Sequence, residues 1–88
     1  MAEKVDFSKV HFLIVDGNAL SADLARDLLL TMGAKTVFVA HNFDEGLEVL
    51  GSGSVDVLLT ELHLPPRSGL DLIRAVRDGK TRASKQMP

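Results

Sequence analysis

The 88-residue chain contains no cysteine, which excludes disulfides, thiolate catalysis and cysteine-based zinc sites together. Long apolar runs are also missing. The first, FLIV at residues 12–15, is far too short for a signal-peptide core or a membrane span. Charge of one sign is not in excess: the formal net charge is −2, which argues against a nucleic-acid or membrane-surface specialist. Aromatic residues make up only 5% of the chain, and none is interleaved with the basic residues near the carboxyl terminus, which weakens a nucleic-acid reading further. No internal repeat or low-complexity tract is visible, and the only linker-like stretch is GSGS at 51–54. The expectation is a cytoplasmic protein with neither membrane nor nucleic-acid partners.

What remains is ordinary for a folded domain, with 45% apolar and 25% charged residues. The length predicts one domain over residues 1–88, burying about 60 to 65% of its unfolded surface, so the core is modest and a large cleft is not expected. VHFLIVD at 10–16 is a β-branched and aromatic run without polar alternation, which predicts a strand covered on both faces. Asn18 then caps a helix in which Leu20, Leu24, Leu28 and Met32 recur every four residues, widened by Ala25 and Leu29, with Gly33 as its terminator. TVFVA at 36–40 is a second strand. Asn42 with Glu45 opens a second helix with a capping-box-like pattern, striped by Phe43, Leu47 and Leu50, in which Gly46 costs about 1 kcal/mol relative to alanine. VDVLLTEL at 55–62 is a third strand, and Ser68 caps a third helix carrying Gly69, Leu72, Ile73 and Val76 on one face.

Strand followed by helix, three times over with short connections, predicts an α/β fold of parallel βαβ units. Right-handed crossovers with helices on both faces give three layers and the strand order 2-1-3. Ligands in such sheets bind at the carboxyl ends of the strands where the order reverses. The residues at those ends are Asp16 and Glu61. The third strand reads as apolar on both faces, like an interior strand, yet nothing after it reads as a further strand, which marks a pairing hazard at the sheet edge.

FLIVDGN with its leucine-striped helix, followed by VDVLLTELHLPPRSGLDLIRAVR, resembles the receiver domain of bacterial response regulators in two-component signalling. The likeness covers nearly the whole chain, including Pro65 four residues past the acid and Gly69 four residues beyond that. The resemblance implies the amino-terminal half of a flavodoxin-like receiver fold, with KQMP at 85–88 resembling the entry to a fourth strand. It also implies an aspartate at the end of the third strand that accepts a phosphoryl group from a histidine kinase. Mg2+ assists, held by that aspartate, an acidic pair after the first strand and a backbone carbonyl. Transferred by position, the acceptor falls on Glu61, the acidic pair on Asp16 and Gly17, and the carbonyl on His63, with Gly17, Pro65 and Gly69 as site neighbours.

Two of the three carboxylate positions depart from that pattern. Mg2+ requires near-octahedral oxygen ligands, so Gly17 in place of an acid leaves at most a weak site on Asp16, Glu61 and the His63 carbonyl. Glutamate displaces its carboxylate by about 1 Å relative to aspartate, enough to cost on the order of a hundredfold in a positioned reaction. Phosphoryl transfer depends on positioning and charge neutralisation, so acceptance is expected to be impaired. Glu61 would then stand where a phosphoryl group projects, as a partial mimic with about one negative charge rather than nearly two. The expected function is a non-enzymatic receiver-like module acting through protein contacts, with a histidine kinase or another signalling protein as partner. The alternative is an assembly unit that completes its sheet as a homodimer, two chains joining at their third strands. A phosphatase built on Asp16 and Glu61 ranks third, because two acids and no base converge. His11, His41 and His63 lack metal-ligand spacing. Arg74, Arg77, Lys80, Arg82 and Lys85 read as a solvated helix end whose charges complement the dipole.

Overall fold

Alternation of short apolar strands with side-chain-capped helices produces a three-stranded parallel sheet of order β2-β1-β3. The computed structural model describes residues 6–88; Glu3 and Lys4, part of the mixed-charge amino terminus, lie outside them. After a 3-10 turn at Phe7–Lys9 come β1 (His11–Val15), α1 (Ala19–Thr31), β2 (Thr36–Ala40), α2 (Phe43–Leu50) and β3 (Val57–Thr60). A two-residue hairpin, β4 (His63–Leu64) and β5 (Arg67–Ser68), precedes α3 (Gly69–Arg77). The ends of the strands are level: Val15 lies beside Ala40 on one side and Thr60 on the other. Asp16, His41 and Glu61 therefore leave the sheet side by side.

The caps form as their residue types require. Asn18 accepts from the Ser21 amide at 3.0 Å and Asn42 from the Glu45 amide at 2.8 Å, each satisfying a donor that the first helical turn leaves free. Glu45 reaches back one residue further than expected, to the His41 amide at 3.0 Å. At α3 the Asp71 carboxylate accepts from the Ser68 amide at 2.9 Å. Gly33 ends α1 at a φ of 104°, a left-handed conformation that favours glycine.

Phe12 to Val15 are all buried, as expected of a central strand with helices on both sides. One face carries the core: Leu13 and Val15 pack with Phe43, Leu50, Val55, Leu64, Leu72 and Val76. Burying a leucine such as Leu13, Leu50 or Leu72 completely stabilises the fold by roughly 1.5–3 kcal/mol. Gly46 is what brings α2 this close. A Cβ there would lie 3.0 Å from a Val15 methyl and 3.3 Å from Leu72, so its cost in helix propensity is offset by the approach it allows. The carboxyl-terminal segment closes this side: Ala83 and Met87 are buried in the core, and Arg77 donates to the Lys85 carbonyl at 2.6 Å.

The structure corrects several expectations, beginning with the opposite face. The α1 stripe is not core: Leu20, Leu24 and Leu28 are 69%, 62% and 61% exposed and Met32 is also exposed. Its inward residue is the fully buried Ala22, with Ala25 and Leu29 half-buried. A stripe of four-residue period gives the apolar side of a helix but does not say that a partner covers it. The third strand spans 57–60 rather than 55–62, and Leu59 is exposed, so β3 is not covered on both faces. Its edge is not bare either, since the Leu58 amide donates to the Pro88 carbonyl at 3.0 Å. The β4-β5 hairpin, whose turn contains a cis peptide bond between Pro65 and Pro66, was not foreseen from the sequence, because a two-residue ladder is too short to show an alternating pattern.

Candidate functional site

The carboxyl ends of the strands carry the site, and backbone pairing fixes its frame. The Asp16 amide donates to the Ala40 carbonyl at 3.0 Å, and the Glu61 amide to the Val15 carbonyl at 2.9 Å. Beyond this frame, each acid is turned onto the loop joining β1 to α1. One oxygen of the half-buried Asp16 accepts from the Asn18 amide at 2.8 Å, a turn that leads into α1. Glu61, whose side chain projects from the end of β3, accepts from the Gly17 amide at 3.2 Å. The two carboxylates thus hold neighbouring amides of one short loop.

Gly69 explains how α3 meets this edge. A Cβ on it would lie 2.3 Å from the Glu61 carbonyl oxygen and 3.0 Å from the Thr60 hydroxyl. Only a residue without a side chain lets the start of α3 come this close. The Gly69 amide donates to the Leu62 carbonyl at 2.9 Å, and the Thr60 hydroxyl donates to the Glu61 carbonyl at 2.9 Å. An open groove of about 390 Å3 runs beside Glu61, lined by Ile14, Asp16, Ala25, Leu59 and Thr60 among others.

Of the residues singled out from sequence, Asp16, Gly17 and Glu61 come together and Gly69 packs behind them. His63 and Pro65 belong to the hairpin, where His63 is exposed and pairs with Ser68. Among the described residues, no three His, Cys, Asp or Glu side chains gather where a metal ion could be held. Sequence reasoning set His41 aside for want of metal-ligand spacing and so missed its place at this edge, where its ring nitrogen lies 3.1 Å from the Asp16 carbonyl. The strand order could have found it, because the residue after β2 must emerge beside the residue after β1.

Comparison with known proteins gives this edge its relatives. The sequence profile of the response regulator receiver domain matches residues 12–87. The chain belongs to the receiver-domain family. Among curated proteins, this receiver chain is 35% identical over 68 residues to the chemotaxis protein CheY of Pseudomonas aeruginosa, covering 77% of the chain and 55% of CheY. It is 33% identical over 69 residues to the transcriptional regulatory protein DltR of Streptococcus agalactiae, covering 78% of the chain and 30% of DltR. With the transcriptional regulatory protein CpxR of Escherichia coli it shares 34% identity over 65 residues, 74% of the chain and 27% of CpxR. The receiver chain therefore spans about half the length of CheY and less than a third of the two transcriptional regulators. No helix among its described residues is long and apolar enough to cross a membrane.

Proposed function

We propose that this chain is a cytoplasmic receiver-like module of bacterial two-component signalling that acts through protein contacts and accepts a phosphoryl group poorly or not at all. A histidine kinase or another signalling protein is its partner, and it performs no catalysis of its own. The observation that carries the reading is the carboxylate of Glu61. It stands at the acceptor position of the family on a side chain one methylene longer than aspartate, and it is engaged by the Gly17 amide. An acceptor oxygen must be placed for in-line attack with its charge neutralised by cations, and phosphoryl transfer draws nearly all its acceleration from such placement. Gly17 removes one neutralising ligand and Glu61 alters the placement. Incubation with a small-molecule phosphodonor and Mg2+, followed by intact-mass measurement, is expected to leave the chain unmodified. A stoichiometric, phosphate-sized mass gain mapping to Glu61 would overturn the reading.

A second reading is favoured by the exposed leucines of α1 together with Leu59. Self-association through that face would cover them with the same residues of a second copy. With the Leu58 amide already bonded to Pro88, this contact is one of helix face on helix face rather than strand on strand.

A further inference from the structure

We infer that Glu61 and Gly17 form a metal-free clasp, in which the Glu61 carboxylate accepts the Gly17 amide and so ties the β1-α1 loop to the end of β3 without a divalent cation. The inference rests on the receiver reading above and deepens it. The two departures from the family pattern are then one device rather than two separate losses.

Reach is the first argument. The Glu61 Oε2 to Gly17 amide distance is 3.2 Å, already at the long end for such a bond. Shortening the side chain by one carbon–carbon bond, about 1.5 Å, takes the oxygen out of range. Glutamate closes a gap that aspartate leaves open.

Space and charge make the second argument. A Cβ built on Gly17 would lie 4.0 Å from Glu61 Oε2 and 3.6 Å from the His41 carbonyl oxygen. An acid at position 17 would set a second carboxylate against the first, next to a carbonyl, an arrangement that repels unless a cation offsets it. Glycine leaves that space open and presents only its amide, a donor that a carboxylate binds through a charge-assisted hydrogen bond.

The donor set points the same way. Mg2+ takes oxygen ligands in near-octahedral geometry and is slow to give up its own water. Here Asp16 already accepts from Asn18 and Glu61 from Gly17, and the acid that would join them is glycine. These residues do not fit the ion. The same two amide contacts, together with the His41 ring at the Asp16 carbonyl, hold the loop from both flanking strands.

Amide hydrogen exchange and Mg2+ titration followed by NMR, on the whole chain and on the variants Glu61→Asp, Glu61→Ala and Gly17→Asp/Glu61→Asp, test the clasp. Glu61 is exposed, so its variants are expected to fold, and the amides of β1 serve as the internal check. In the unaltered chain the Gly17 amide is expected to be protected and indifferent to millimolar Mg2+. Both single variants are expected to speed its exchange about tenfold without conferring a response to the metal. The double variant is expected to gain a saturable Mg2+ response around residues 16, 17 and 61. A Gly17 amide that exchanges as fast in the unaltered chain as in Glu61→Ala, a saturable Mg2+ response of the unaltered site, or a double variant indifferent to Mg2+ would each overturn the clasp. Phosphorylation of Glu61 in a chain whose Gly17 amide is protected would sink the functional reading while supporting the clasp. An unprotected Gly17 amide in a chain that refuses the phosphoryl group would do the reverse.

Discussion

The two faces of the sheet are built from the same kind of sequence and end in opposite conditions. On one, α2 and α3 bring Phe43, Leu50, Leu72 and Val76 onto Leu13 and Val15, and the carboxyl-terminal segment adds Ala83 and Met87. On the other, α1 contributes the small Ala22 to the interior and leaves Leu20, Leu24 and Leu28 facing outward, beside an exposed Leu59. An apolar helix face gains free energy only when something removes it from water. The difference shows that amphipathic pattern and burial are separate facts, and that the larger cluster of buried side chains lies on one side of β1, while Phe12, Ile14 and Ala22 form a thinner layer on the other.

The strongest way to break that contrast is to cut into the closed side. Leu72 is fully buried between α3 and the sheet, and its replacement by alanine removes the transferred methyl groups and leaves a cavity. Leu72→Ala is expected to destabilise the chain by roughly 2–5 kcal/mol, a large share of the total for a domain of this size. Urea unfolding followed by circular dichroism measures it. A loss under about 1 kcal/mol would mean that α3 does not hold the core together, because truncations in a well-packed interior cost more than that.

The open side predicts the opposite. Replacing Leu20, Leu24 and Leu28 together by glutamine keeps helix propensity nearly unchanged and removes only exposed apolar surface. At low protein concentration the unfolding free energy is expected to change by no more than about 0.5 kcal/mol per site. If two chains pack through this face, the unaltered protein gains stability with concentration and sediments as a larger species, and the triple variant loses both properties. A stability that is independent of concentration in both proteins would remove the self-association reading. A large loss in dilute monomer would instead show that these leucines are buried in the free chain.

How much could be read beforehand follows from the same contrast. The order 2-1-3 and the caps at Asn18 and Asn42 depend on chain direction, crossover handedness and local hydrogen bonding, all of which leave marks in residue type and spacing. The meeting of Asp16 with Glu61 follows from that order alone. The fate of the α1 stripe does not, because it depends on whether another element lies over the helix, and spacing within a helix carries no information about that. The Glu61–Gly17 contact was hidden for a different reason: it depends on which way a side chain and a loop amide point beyond the last paired residue. The sequence marked both positions as departures from the family but could not say that they touch.

The smallest expected effect tests the outer margin of the open face. Asp6 caps the 3-10 turn at Phe7–Lys9 by accepting from the Ser8 hydroxyl and amide, and this turn sets the Phe7 ring edge-on to Phe12, with 5.7 Å between centroids. The Ser8 hydroxyl, and after it the Ser8 amide, hold the Asp6 carboxyl below its ordinary value of 3.8. A carboxylate depressed in this way contributes stabilisation that is complete above its unfolded pKa and is lost as pH falls through the folded one. Because the group is fully exposed, the effect belongs to the turn rather than to the whole domain. The Val10 amide, which donates to the Phe7 carbonyl at 3.1 Å, reports it locally. After allowance for the intrinsic pH dependence of exchange, Val10 protection is expected to fall on acidification below the ordinary carboxylate value, while the amides of β1 hold. Asp6→Ala should show the weaker protection at every pH and no further acid-dependent loss. An identical acid response in the two proteins would detach Asp6 from the turn and leave the packing of Phe7 on Phe12 to hold that edge unaided.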